Sequence, residues 1–415
     1  MNQAIPSGSS RLADTEPRYA QSAQQEPAAR IIGVDALPAI TPVSRVMLLG
    51  LDWPQTGYLV AALHAAGIHT TLLSTGLPDR LGLGHYCEQI RSPSAVSPDY
   101  VPFLRAQVAR TRPELLIPLC EPLMQLLWSL DPLPAPVYPA IEPWQREIVT
   151  DRRRLYECAS AAGVPIAPWS TIDGPRGLEQ AARRFGFPLV LRGTAGCGGM
   201  QVRIVDCLEE ARAAIDALQV VSPASPFAQA FLSGTRQLCG GVFHRGEMLR
   251  CFTQMTMECH PPSTGPSIRV CSVHDKIMET HTETLMRHLQ WSGMACAEYI
   301  RDEKGSLTLL EINVRPWAAL GAAERSGAAM CRTFAELLSG RTVSARAGHA
   351  VGVESVVLEG FLRARRTGLI WRTVPNLPLR DAYGCLRAIP WRQPWLALHM
   401  LRRAYRVCAN AAPNR

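Results

Sequence analysis

The stretch LLEINVRPW, residues 309 to 317, sets an acid, an amide and a guanidinium at alternate positions: Glu311, Asn313 and Arg315. Side chains of an extended strand alternate between faces, so these three share one face while Leu310, Ile312 and Val314 share the other. Just upstream, CAEYIRDEKGSLTLLEIN reads as a hairpin, two alternating strands around a polar turn at Asp302 to Ser306. A loop of even length opposes Glu298 to Glu311, whereas a three-residue loop with a bulge slips the pairing by one. Opposed carboxylates repel, with Cβ atoms only ~5 Å apart. A divalent cation removes that repulsion. Two carboxylates and the Asn313 amide oxygen form an oxygen-only ligand set, which suits Mg²⁺ shared with phosphates. Glu-x-Asn alone is more simply read as a polar, solvent-facing strand; Glu298 and Arg315 tip the reading toward a metal.

A second motif is LVLRGTAGCGGMQV, residues 189 to 202, where Gly196, Gly198 and Gly199 follow a buried strand. Closely spaced glycines let backbone N–H groups approach and cradle an anion. The motif lacks the Gly-Lys-Ser or Gly-Lys-Thr of a P-loop, and a strand rather than a helix follows, which excludes the dinucleotide fingerprint. A β-hairpin lid over phosphates and a plain glycine-rich turn both fit. In a third motif, FAQAFLSGTRQL (227 to 238), a strand runs into Gly234, and an extended segment passing between lobes can hold a planar base.

These motifs need elements to position them. RVMLLGLD (45 to 52) is the continuous apolar run of a buried parallel strand, and a helical pattern at Leu59, Ala62, Leu63 and Ala66 ends at Gly67. The strand HTTLLS and then RPELLIPL with EPLMQLLWSL continue a βα repeat to about residue 145. A helix from Asp151, a good N-cap, to Gly163 opens a βαββαβ unit of about 65 residues. A sheet-rich section then runs to about residue 345, and the polar residues 1 to 44 read as a disordered arm.

The chain has 415 residues, 47% of them hydrophobic and 19% charged, enough for two or three globular domains. No run approaches the ~20 apolar residues of a membrane span, and no secretory signal opens the sequence, so a cytoplasmic protein is expected. The 13 cysteines include no Cys-x-x-Cys pair and read as reduced thiols. Cys259, His260, Cys271 and His274 match no familiar zinc spacing. From residue 351 onward eleven arginines face three acids, so the basic bias is confined to the tail. Its segment PWRQPWLALHMLRRAYRVC is expected to pack on the body or to touch an anionic membrane surface peripherally. Nucleic acid is not an expected partner, because no reader motif accompanies the charge. Oligomeric state is left open.

Taken together, DRRRLYECASAAGVPIAPWS, FPLVLRGTAGCGGMQV, FAQAFLSG, and AEYIRD with LEINVRPW resemble the ATP-grasp superfamily. Its carbamoyl-phosphate-synthase-like and carboxylate-amine ligase branches are the nearest in pattern. The resemblance implies a mixed α/β and α+β chain. Its parts are a Rossmann-like domain (45–145), a lid subdomain (146–232), a catalytic subdomain (233–345) and a basic extension (346–415), after the arm (1–44). It implies that Glu298, Glu311 and Asn313 bind Mg²⁺, or Mn²⁺ in its place. ATP would be held by Arg152, Arg192, Gly196, Gly198, Gly199 and the hinge residues Gln229, Ala230, Phe231 and Leu232. Arg192 and Arg315 would be catalytic, and Arg269 is the expected ligand of a substrate carboxylate. Where the family usually has Lys, this chain has Arg152 and Arg192; the chain's only lysines are Lys276 and Lys304. The implied activity is ATP-dependent ligation of a small carboxylate to an amine or ammonia. The alternative is a nucleotide-binding scaffold or sensor of the same fold without turnover.

Overall fold

Four parallel strands open the described chain in the order β3-β2-β1-β4: β1 (Arg45–Leu49), β2 (His69–Ser74), β3 (Glu88–Arg91) and β4 (Leu115–Pro118). Val46 to Leu49 are all buried, as a strand covered on both faces requires. Helices α1 (Pro54–Ala65), α2 (Tyr100–Thr111) and α3 (Glu121–Ser129) alternate with the strands. The computed structural model describes residues 41–50, 54–194, 201–221, 226–262, 264–343, 348–365 and 377–409. Gly196, Gly198 and Gly199, and residues 1–40 of the expected arm, lie outside that set.

After α4 (Pro143–Thr150), the carboxylate of Asp151 accepts a hydrogen bond from the Arg153 backbone N–H and starts α5 (Arg152–Ala161). The expected βαββαβ unit follows: β5 (Trp169–Thr171), α6 (Gly174–Phe185), β6 (Leu189–Arg192), β7 (Val202–Val205), α7 (Leu208–Val221) and β8 (Phe227–Ala230). Its antiparallel sheet has the order β5-β8-β6-β7, and Leu178, Ala181, Ala211 and Leu218 close one face.

A six-stranded antiparallel sheet, ordered β13-β12-β9-β10-β11-β14, carries the site. Its strands are β9 (Thr235–His244), β10 (Glu247–Cys259), β11 (Ser267–Val273), β12 (Gly293–Arg301), β13 (Leu307–Asn313) and β14 (Glu354–Val356). Arg245 and Gly246 join β9 to β10, both at positive φ, the geometry of a two-residue type I′ turn. Alternation divides the sheet between two cores. Cys239, Phe243, Ala295, Ala297 and Tyr299 pack on α8 (Lys276–His288), while Leu238, Val242, Phe252 and Cys296 face the opposite side.

Helices α9 (Leu320–Arg325), α10 (Met330–Leu338), α11 (Leu358–Ala364), α12 (Leu379–Arg387) and α13 (Pro394–Ala409) complete the chain. The basic tail is packed into the body: Leu396, Ala397, His399, Met400, Ala404 and Cys408 of α13 are buried. His399 Nδ1 lies 2.7 Å from the carboxylate of Asp79, and Arg402 reaches the same acid at 3.1 Å. No described helix is long and apolar enough to cross a membrane.

Candidate active site

The hairpin of β12 and β13 solves its register problem with a bulge. Next to the turn, Arg301 opposes Leu307 and Tyr299 opposes Leu309; a bulge at Leu310 then brings Glu298 opposite Glu311 and Cys296 opposite Asn313. Both sequence alternatives are therefore used, one at each end. The extra residue also switches faces: Leu307 and Leu309 join the core under α8, whereas Glu311 and Asn313 point to the other side with Glu298. Strict alternation would have put Leu309 and Glu311 on one face.

Glu298 and Glu311 meet on the wall of a cavity of about 570 Å³. The Asn313 carboxamide bridges them, donating to Glu298 at 3.3 Å and to Glu311 at 3.4 Å. Arginines crowd the same acids. Arg192 donates to Glu311 Oε2 at 2.9 Å, and Arg152 to the same oxygen at 3.2 Å. Arg236 stands 4.0 Å from Glu298. Burial pushes the Glu298 carboxyl up, and repulsion from Glu311 adds to it, raising it to about 7 against the opposing pull of Arg236 and Arg315. Burial also acts on Glu311, but Arg152 and Arg192 outweigh it and hold that carboxyl below its ordinary range.

Arg192 is buried at the end of β6, where it donates to the Tyr156 hydroxyl at 3.0 Å and to Gln229 at 3.3 Å. Tyr156 in turn donates to the Leu310 carbonyl at 2.7 Å, tying α5 to the bulge. The Nε of Arg192 is buried with no partner. Arg315 forms a two-oxygen contact with Glu121 at 2.8 and 2.9 Å and reaches the Asn313 oxygen at 3.3 Å. Ala230, Phe231 and Leu232 line the cavity beside Gln229.

One expected ligand is elsewhere. Arg269 does not line the cavity; it is paired with Asp381 of α12, stands 3.7 Å from Glu258, and lies over the Phe361 ring. Its charge is consumed in fastening the tail, because β11 sits beside β14 near the edge of the sheet. Sequence reading missed Tyr156, Glu121 and Arg236. The Tyr lay in plain view in RRRLYECASA, one helical turn after Arg152, but only the fold sets it under Leu310.

The donors fit a hard cation that brings further oxygens with it. Two carboxylates and one amide are too few to enclose an ion, and no cluster of three or more His, Cys, Asp or Glu side chains that could hold a metal occurs among the described residues. Phosphate oxygens would supply the rest, and the unpartnered Arg192 Nε is a donor suited to them.

Residues 151–342 match the family model described as carbamoyl-phosphate synthase L chain, ATP binding domain. The chain is 26% identical over 185 residues to pyruvate carboxylase 1 of Caenorhabditis elegans, a stretch that is 40% of this chain and 15% of that one. In fold it is similar to biotin carboxylase from Campylobacter jejuni, with a TM-score of 0.63 at 12% identity over 76% of this chain and 75% of the other. It is also similar to N5-carboxyaminoimidazole ribonucleotide synthetase from Thermus thermophilus, with a TM-score of 0.57 at 17% identity over 74% and 81%. The family match covers less than half of the chain, and together with the likeness in fold it agrees with the ATP-grasp resemblance of the motifs.

Proposed function

We propose that this protein is an ATP- and Mg²⁺-dependent ligase joining a small carboxylate to an amine or ammonia through an acyl phosphate. The observation that carries this reading is the convergence of Glu298, Glu311 and Asn313 with Arg192 and Arg315 on one wall of the cavity. Mg²⁺ would be held by Glu298, Glu311 and, once the carboxamide turns its oxygen rather than its Nδ2 toward the two acids, Asn313; when bound it neutralises phosphate charge. Arg192 supplies a fixed, buried guanidinium to the same oxygens, held in place by Tyr156 and Gln229. Arg315, backed by Glu121, faces the reacting carboxylate. The carboxylate oxygen forms a bond to the γ-phosphorus as its bond to ADP breaks; the amine then displaces phosphate from the acyl carbon and loses its proton. Positioning and charge neutralisation suffice for such transfer, so no Ser or Cys nucleophile is required. The twelve described cysteines form no disulfide with one another.

Hydroxylamine tests the proposal, because it traps acyl phosphates as hydroxamates. ADP and hydroxamate are expected in equal amounts when the protein meets MgATP and the correct acid. Tight MgATP binding with no ADP release across a broad acid panel would contradict turnover and favour a nucleotide-binding scaffold.

A further inference from the structure

A row of side chains crosses five strands on the cavity face: Glu311, Glu298, Leu238, Gln254 and Ser272 are successive cross-strand partners. The acids at one end belong to the phosphate chemistry. Gln254 stands two strands from Glu298, about 10 Å away at the usual strand spacing. Its side chain is wholly buried on the cavity floor, and both its Oε1 and its Nε2 lack a hydrogen-bond partner. Neither neighbour in the row relieves it. Leu238 is apolar, and the Ser272 hydroxyl is engaged by the Val353 N–H and the Ala350 carbonyl. On β9, Gly240 leaves room for the Trp317 ring, since a Cβ there would come within 2.4 Å of it. Trp317 lines the same cavity, and its Nε1–H is also buried without a partner.

Buried polar atoms are nearly always paired, so these three in the lining of one cavity, apart from the Arg192 Nε given to phosphate above, describe a ligand's complement. They offer two donors and one acceptor. We propose that Gln254 and Trp317 form a substrate subsite that reads a carboxamide-type group at the far end of the molecule undergoing ligation. Its carbonyl oxygen accepts from Gln254 Nε2 and Trp317 Nε1, and its N–H donates to Gln254 Oε1. A carboxylate in that place would face the Gln254 oxygen without a proton to share, and an alkyl end would leave all three atoms unpaired. This subsite rests on the ligase reading, which puts the reacting carboxylate at the Glu298 end of the row.

The test uses three acids of matched length: glutaramate, glutarate and valerate. Each is titrated into the full chain holding Mg²⁺ and the nonhydrolysable nucleotide AMP-PNP, for wild type, Gln254→Leu and Gln254→Glu. Wild type is expected to bind glutaramate at least about tenfold more tightly than either other acid. Both variants are expected to lose that preference, Gln254→Leu by favouring valerate. Without ligands, Gln254→Leu should melt roughly 2–4 °C above wild type, because it removes two buried polar atoms that have no partner in the chain. Equal binding of the three acids, or binding of none, by wild type that holds Mg-AMP-PNP would overturn the subsite. A lower melting temperature for Gln254→Leu would do the same, by showing that the amide has partners in the free protein. Wild type that holds no nucleotide would instead overturn the ligase reading itself, and the subsite with it.

Discussion

Arginines dominate two regions of this molecule and behave differently in each. In the C-terminal segment acids are spread out to meet them: Arg402 with Asp79, Arg403 with Glu359, Arg365 with Glu258 and Asp381. On the cavity wall the distribution is lopsided. Two arginines share one oxygen of Glu311, while Glu298 has Arg236 only at 4.0 Å and holds a proton up to about pH 7. Balanced charges fasten the tail, whereas an uneven cluster that strains a carboxylate and leaves Arg192 Nε unpartnered is what the proposed phosphate site requires before its ligand arrives.

The contrast is sharpest when broken by mutation. Removing Arg192 as Arg192→Ala would strip partners from Glu311, Tyr156 and Gln229 together, and a loss of about 3 kcal/mol in stability is expected from denaturant titration. Arg192→Lys keeps the charge but not the fork, so nucleotide turnover should fall yet persist. In the tail, Leu396→Ala should cost about 2–4 kcal/mol, because that side chain is fully buried beside Gly57. Nucleotide affinity in that variant should not change, which separates fastening from chemistry. If MgATP binding fell together with stability, the two regions would not be independent.

A subtler prediction concerns protons. Glu298 ionises near 7 in the fold against about 4.5 ordinarily, so the folded chain holds a proton there that the unfolded chain has released. Its contribution therefore lowers metal-free stability as pH rises from about 4.5 to about 7 and stays unfavourable above that. Glu298→Gln should flatten that slope and melt higher than wild type at pH 8 without metal. Metal binding must also displace the proton, so divalent affinity should fall about tenfold per pH unit below 7, measurable by titration in buffers of different ionisation enthalpy. The smallest effect expected is at Arg380, whose pairing with Glu354 is exposed: Arg380→Ala should leave the melting temperature where it is.

Much of this was legible in the sequence because local rules act locally. Apolar runs gave β1 and β2, the Asp151 cap gave α5, and order along the chain gave the βαββαβ unit. The pairing of Glu298 with Glu311 was readable too, but only as one of two registers. What decided it, the bulge at Leu310, has no residue-level signature, since Leu is not a turn-former; it follows from Leu307 and Leu309 belonging to the core under α8 while Glu311 belongs to the cavity. Arg269 shows the opposite limit. Its type suggested a carboxylate ligand, yet the carboxylate it meets is Asp381, 112 residues away in the chain. Glu121 and Gln254 were invisible for the same reason: their significance comes from partners, or missing partners, supplied by distant strands.

The most direct test of the account is calorimetric titration of ATP into wild type and Glu311→Gln, each with and without Mg²⁺. Mg²⁺-dependent binding is expected in wild type, weakened at least about a hundredfold in a variant that remains folded. Equal Mg²⁺-dependent affinity in both proteins would contradict it, and would mean that the acids joined across the bulged hairpin are not where the metal and its phosphates sit.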